Sequence, residues 1–201
     1  MASIRAIWKH EVNEGNQISR LLIQDQKVKM NWRVALLPLF LLDVIHYRYR
    51  LWVVRKNILY TRKPALEAAQ NISNGQEQAW QMRRIEIKTR ESLDRDKRGQ
   101  YTEKIRRKQL SEIELLTTHY TDLIHSGKLR YPQMIKAVYP AKGIYLNFIN
   151  KLRALEEEVI QAAVSTTRKG TKKERRLWFD KVKAVTRKAR LSEADRIYSD
   201  Q

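Results

Sequence analysis

Four histidines (His10, His46, His119 and His125) and a few closely spaced glutamates are where chemistry could reside in this sequence. His119, Asp122 and His125 fall at i, i+3 and i+6 in THYTDLIHSG. On a helix that spacing brings neighbours into reach but fans the two imidazoles apart, whereas a two-histidine metal site wants i, i+4 and a further ligand. Near a helix C-terminus His125 reads more simply as a favourable charge against the dipole. The paired glutamates of SEIELL and ALEEEV have no histidine at the spacing of di-iron bundles. No glycine-rich phosphate loop, dinucleotide fingerprint or nucleophile elbow is present. Cysteine is absent, which removes thiolate nucleophiles, thiolate metal sites and a disulfide framework. The expectation is a non-enzymatic protein with no cofactor, no metal site and no catalytic residue.

The elements that would position any function read as helices. Gly and Pro number only 6 and 4 in 201 residues, too few turns for a many-stranded sheet, and helix formers dominate. The expected fold is all-α: a long antiparallel helical hairpin, coiled-coil-like, with flanking amphipathic helices, extended rather than a compact bundle. Five segments follow. Residues 1–30 form an N-terminal amphipathic helix region, with Ile4, Ile7, Trp8, Ile18, Leu21, Leu22 and Val28 near helical spacing and a weak point at Gly15. Residues 31–64 are an apolar and basic-aromatic segment. Residues 65–127 make the hairpin: one arm to Lys97, with NGQE offering a restart that Asn74 would cap with Glu77 at its third position, a turn at Gly99, and a second arm stopped by Gly127. Residues 128–169 give a short helix after Pro132 and a stronger one with Tyr145, Phe148, Ile149, Leu152, Leu155, Val159 and Ala163 on its apolar face. Residues 170–201 open on a capping box, Thr171 with Glu174, lead a basic helix to about Arg190, and restart at Ser192.

Charge narrows the partners. Forty-one Lys and Arg against 22 Asp and Glu leave a net +19, which favours a polyanion: an anionic bilayer, nucleic acid or an acidic protein. The N-terminal MASIRAIWKHEVNEGNQ lacks the apolar core of a signal peptide, and neither end shows a lipidation motif.

The sharpest signal is NWRVALLPLFLLDVIHYRYRLWVVRKNILYTRKP, residues 31–64. Its apolar run, Val34 to Ile45, covers roughly 18 Å as a helix against a hydrocarbon core of about 30 Å. Continuing through Arg48, Arg50, Arg55 and Lys56 would bury charges at about 2.5–3.5 kcal/mol each. It is not expected to span. Lying in the interface fits better: Val44, Tyr47, Leu51, Val54 and Ile58 form one stripe, Arg48, Arg55 and Arg62 another, and Tyr47, Tyr49, Trp52 and Tyr60 are interface-type rings. The candidate membrane or partner contacts are Leu36, Leu37, Leu39, Phe40, Leu41, Leu42, Leu51, Trp52, Val54 and Ile58. The competing reading is an ordinary core helix.

From Arg168 to Arg190 there are eleven Lys and Arg and two acids. Trp178, Val182, Val185 and Ala189 line one side, and Lys173, Arg176, Lys183, Arg187 and Arg190 the other, so one face can dock while the other meets an anion. The candidate anion contacts are Arg48, Arg55, Arg62, Lys173, Arg176, Lys183, Arg187 and Arg190. The expected function is a basic helical scaffold or adaptor attached peripherally to an anionic membrane surface or a membrane protein complex, at the cytoplasmic face, with a protein partner or homo-oligomer. The alternatives are a non-specific nucleic-acid or ribonucleoprotein binder, or a basic accessory subunit of a larger acidic complex. No zinc-finger spacing, RNP aromatics or GXXG clamp supports sequence-specific nucleic-acid recognition.

Overall fold

The computed structural model describes residues 2–24, 38–166 and 171–199, with side chains of 38–45 not described. Seven helices account for nearly all of them: α1 (Ala2–Leu22), α2 (Pro38–Ser73), α3 (Gln78–Arg95), α4 (Glu103–His125), α5 (Tyr131–Val138), α6 (Lys142–Thr166) and α7 (Lys172–Tyr198). No strand occurs among the described residues.

Local chemistry sets most of the boundaries. Thr171 Oγ1 accepts from the Glu174 amide at 3.2 Å while the Thr171 amide donates to Glu174 Oε2 at 2.6 Å, so the capping box forms as the residues predict. Thr102 accepts from the Ile105 amide and opens α4. Gly127, with φ +68°, lies just past the end of α4, and Gly99, at φ +61°, turns the chain between α3 and α4. In both positions a side chain would be strained, which is why glycine stands there.

Three expectations change. The restart offered at NGQE occurs, with other caps: α2 ends at Ser73, a turn through Gly75 intervenes, and α3 begins at Gln78. Asn74 lies in that turn, and Glu77 itself occupies the N-cap position with no side-chain capping bond. Pro64 does not end the basic-aromatic helix but sits inside the 36-residue α2. Having no N–H, it leaves the backbone ladder one bond short, and packing of the residues around it carries the helix through. Nor does the last helix restart at Ser192, because α7 runs unbroken to Tyr198.

Packing replaces the extended arrangement with a bundle. α4 is the central element; α2 and α6 lie along it, α1, α3 and α5 also touch it, and α7 closes the assembly against α6 and α1. One buried cluster draws on all seven helices: Ile7, Ala65 and Ala69, Ile85, Ile113, Leu116 and Tyr120, Met134 and Ile135, Tyr145 and Leu152, Ala194 and Ile197. A lone hairpin has no such shared interior. The reason is the width of the apolar faces: α4 buries Ile105, Ile113, Leu116, Tyr120 and Leu123, enough surface for several neighbours at once. A second, smaller cluster joins Ile18, Leu22 and Ile23 to Ala189, with Tyr47, Leu51, Val54, Ile58, Val182 and Val185 packed against it. No described helix is long and apolar enough to cross a membrane.

Candidate membrane-facing surface and the buried charge network

The basic-aromatic part of α2 has two sides. Leu51, Val54 and Ile58 turn toward α1 and α7 and are half-buried in the second cluster, so they are structural contacts rather than a bare anchor. Trp52 (45% exposed) and Tyr49 (62%) point outward, their rings 6.0 Å apart, with Lys56 Nζ 5.0 Å from the Trp52 ring. Leu36 and Leu37 lie outside the described residues. Leu39, Phe40, Leu41 and Leu42 fall in the opening turns of α2, where side chains are not described.

α7 completes this surface. Leu177 (59%) and Trp178 (38%) are exposed in its first turns beside exposed Lys173 and Arg176. Trp178 lines a cavity of about 310 Å³ together with Tyr49, Arg50, Val53 and Val54 of α2 and Ile23, so the aromatic positions of both helices meet at one place. Trp178 borders the docked side of α7, lining this cavity and the larger one beside Val182 while 38% of its surface stays exposed. Arg48 and Arg187 are also exposed. Lys183 is exposed but pairs with Glu157 at 2.9 Å, and Arg55 is half-buried, donating to Asn16 Oδ1 at 3.2 Å. A larger cavity of about 830 Å³ opens between α1, α2, α4, α6 and α7. Ile18, Leu22, Val54, Ile58, Val159 and Ile160 line it, with Arg62, Glu112 and Glu156 at its polar end.

The other two expected anion contacts, Arg62 and Arg190, do not face solvent. Each is 3% exposed, and the anions they meet are the chain's own. Arg62 of α2 binds Glu112 of α4 and Glu156 of α6, with Glu11 of α1 at 3.6 Å. Thr61 adds a hydrogen bond to Glu112 at 2.8 Å. Arg190 of α7 binds Glu14 of α1, reaches Glu156 Oε1 at 3.2 Å and lies 3.6 Å from Glu193. Glu156 thus bridges both guanidiniums, and five helices are tied through one buried ionic chain. Burial pushes the Glu14 carboxyl well above the ordinary range despite Arg190, and likewise raises Glu112 despite Arg62. Glu156 is held low: burial opposes this, but Arg190 and Arg62 outweigh it.

Glu11, Glu14 and Glu193 were not singled out from the sequence, and Glu112 and Glu156 only as glutamates without a di-iron histidine, although a signal for all five exists. Glu11 and Glu14 continue the Ile7–Ile18 stripe, Glu112 stands one turn before Leu116, Glu156 one turn after Leu152, and Glu193 one turn after Ala189. Charged residues in core register mark buried pairs. Withdrawing these five acids and two arginines from 22 and 41 leaves 17 against 39 elsewhere, so the remainder of the chain is more basic than +19 suggests.

As for the expected spread of His119, Asp122 and His125, His119 is buried, stacked on Phe148 at 4.0 Å and bonded through Nδ1 to the Tyr139 hydroxyl at 2.8 Å, while Asp122 and His125 are exposed. A further exposed stripe, Trp80, Arg84 and Ile87 on α3, was not anticipated; Arg84 lies 5.8 Å from the Trp80 ring. The chain is an all-α protein with an ionic core and an aromatic-basic outer face. No family model, curated protein or solved structure matches it.

Proposed function

We propose that this protein is a non-enzymatic basic scaffold that attaches peripherally to an anionic membrane surface through the outward face of α2 and the first turns of α7. The observation that carries the reading is that Tyr49 and Trp178 line one small cavity, on helices that also expose Trp52 and Lys56 (α2) and Leu177, Lys173 and Arg176 (α7). Amphipathic rings suit the headgroup boundary, and long basic side chains reach lipid phosphates. An adjacent base contributes about 1 kcal/mol at an anionic leaflet, and burying a large apolar side chain about 1.5–3 kcal/mol. A few of each give reversible attachment without a spanning helix. Leu177 favours lipid over nucleic acid, because an exposed aliphatic side chain gains nothing from phosphates and cannot stack on bases. The α3–α4 hairpin, with Trp80, Arg84 and Ile87 outward, supplies a second surface for a protein partner.

Flotation tests the attachment. The full chain is expected to float with phosphatidylserine-containing vesicles but not with pure phosphatidylcholine, and to remain bound in part at about 0.5 M salt, where the Debye length falls to a few ångströms. The double variant Trp52→Glu, Trp178→Glu is expected to lose the salt-resistant fraction. Flotation abolished by salt in the wild type would reject insertion of the rings. Salt-sensitive RNA or DNA binding without lipid binding would assign the basic face to nucleic acid instead.

A further inference from the structure

The ionic network leaves one group of atoms short of positive charge. His10 and Glu14 stand one turn apart on α1, and Glu193 arrives from α7; one ligating atom from each lies within 4.8 Å of the others. His10 Nε2 is 2.9 Å from Glu193 Oε1 and 4.0 Å from Glu14 Oε2. Glu14 and Glu193 are 5% and 1% exposed. Glu14 Oε1 and Glu193 Oε2 accept no hydrogen bond, and an orphaned buried carboxylate oxygen costs about 1–3 kcal/mol or more.

The surroundings do not supply the missing charge. Arg190 touches Glu14 but is shared with Glu156 and Glu193, and Arg62 is taken up by Glu112, Glu156 and Glu11. Five carboxylates therefore share two guanidiniums and the single imidazole of His10. The site is nonetheless built to hold its groups still. Tyr131 stacks on the His10 ring at 3.6 Å and 9°, and the Tyr145 hydroxyl donates to Glu193 Oε1 at 2.9 Å, the kind of outer hydrogen bond that orients a ligating carboxylate. One imidazole nitrogen and two carboxylates form a donor set suited to first-row divalent ions rather than to calcium or magnesium, which prefer all-oxygen shells.

We propose that His10, Glu14 and Glu193 bind one divalent transition-metal ion. The ion clasps α1 to α7, takes the place of a proton held between the two carboxylates, and neutralises the charge deficit of the bundle interior. Its role is structural, and it is independent of the membrane-facing surface.

The test uses the full chain, stripped with a chelator and titrated with Co²⁺, Zn²⁺, Mn²⁺ and Mg²⁺. Expected are one Co²⁺ per chain with a visible d–d absorption band, a rise in Tm with Co²⁺ or Zn²⁺, and no rise with Mg²⁺. His10→Gln and Glu193→Gln should each weaken Co²⁺ binding by at least the roughly 10–100-fold that even an outer-sphere partner is worth. Replacing the exposed His46 and His125 with Gln should leave binding intact. Should the ligand variants fail to fold, the wild-type titration still decides. No stoichiometric binding, or binding lost with His46 and His125, overturns the proposal. So does a Tm that no ion moves while Glu193→Gln raises it, which would mean that a shared proton fills the site.

Discussion

Arg62 changes meaning between its sequence context and its position in the bundle. Its seven-residue spacing from Arg48 and Arg55 suggests a basic stripe facing lipid phosphates, yet its guanidinium sits between Glu112 and Glu156 in the interior. Position along the helix accounts for the difference. Arg62 lies roughly 20 Å further along α2 than Arg48, where α4 and α6 supply Glu112 and Glu156. Arg62→Met would strand the buried Glu112 and leave Glu156 to Arg190 alone, and losing one partner of such a network typically costs about 3–5 kcal/mol. Denaturant melts should show that loss, and a change below about 1 kcal/mol would mean the network carries little of the fold. His119 gives a residue-level pH dependence. Burial depresses its imidazole to about 3, with Arg190 and His10 adding to the effect against Glu193. The unfolded chain takes up this proton near pH 6.5, so stability falls as pH drops from about 6.5 toward 3, by roughly 2 kcal/mol at pH 5. The wild type should therefore lose more stability than His119→Gln between pH 7 and pH 5; parallel losses would place the proton elsewhere.

At the scale of elements, what was legible is what local chemistry decides. The Thr171 capping box and the Gly127 stop stand where their residues put them. The misread boundaries, Pro64 within α2 and Ser192 within α7, are places where tertiary contacts override a local signal: Thr61, Arg62, Ala65 and Leu66 are buried around the proline, and Glu193 and Ala194 beside the serine. Gly15 is the clearest case of a weak local signal sustained by packing. It lies mid-helix against α2, where an added Cβ would meet Leu59, Arg55 and Ile58 at 3.6–3.7 Å, ordinary contact distances. Gly15→Ala should then raise stability by about 0.5–1 kcal/mol through helix propensity alone. A destabilised variant would show that α1 and α2 pack too tightly there to accept a methyl group.

For the whole molecule, composition foretold helices but not how the helices gather. The hairpin reading treated neighbours in sequence as neighbours in space, whereas α4 packs most extensively with α2 and α6. Nothing in a single helix announces which distant face completes it; the carboxylates in core register came nearest, since each required a cation from elsewhere. The same burial removes Arg190 from the expected anion surface of α7, which keeps Lys173, Arg176 and Arg187 exposed while Lys183 pairs with Glu157. It also concentrates the functional claim on two side chains, Trp52 and Trp178. Fluorescence of the full chain on phosphatidylserine vesicles doped with brominated lipid measures whether these rings enter the bilayer. The account predicts quenching in the wild type and its loss in Trp52→Phe, Trp178→Phe while the protein remains vesicle-bound. Bound protein that is not quenched, or quenching unchanged in the double variant, would contradict it.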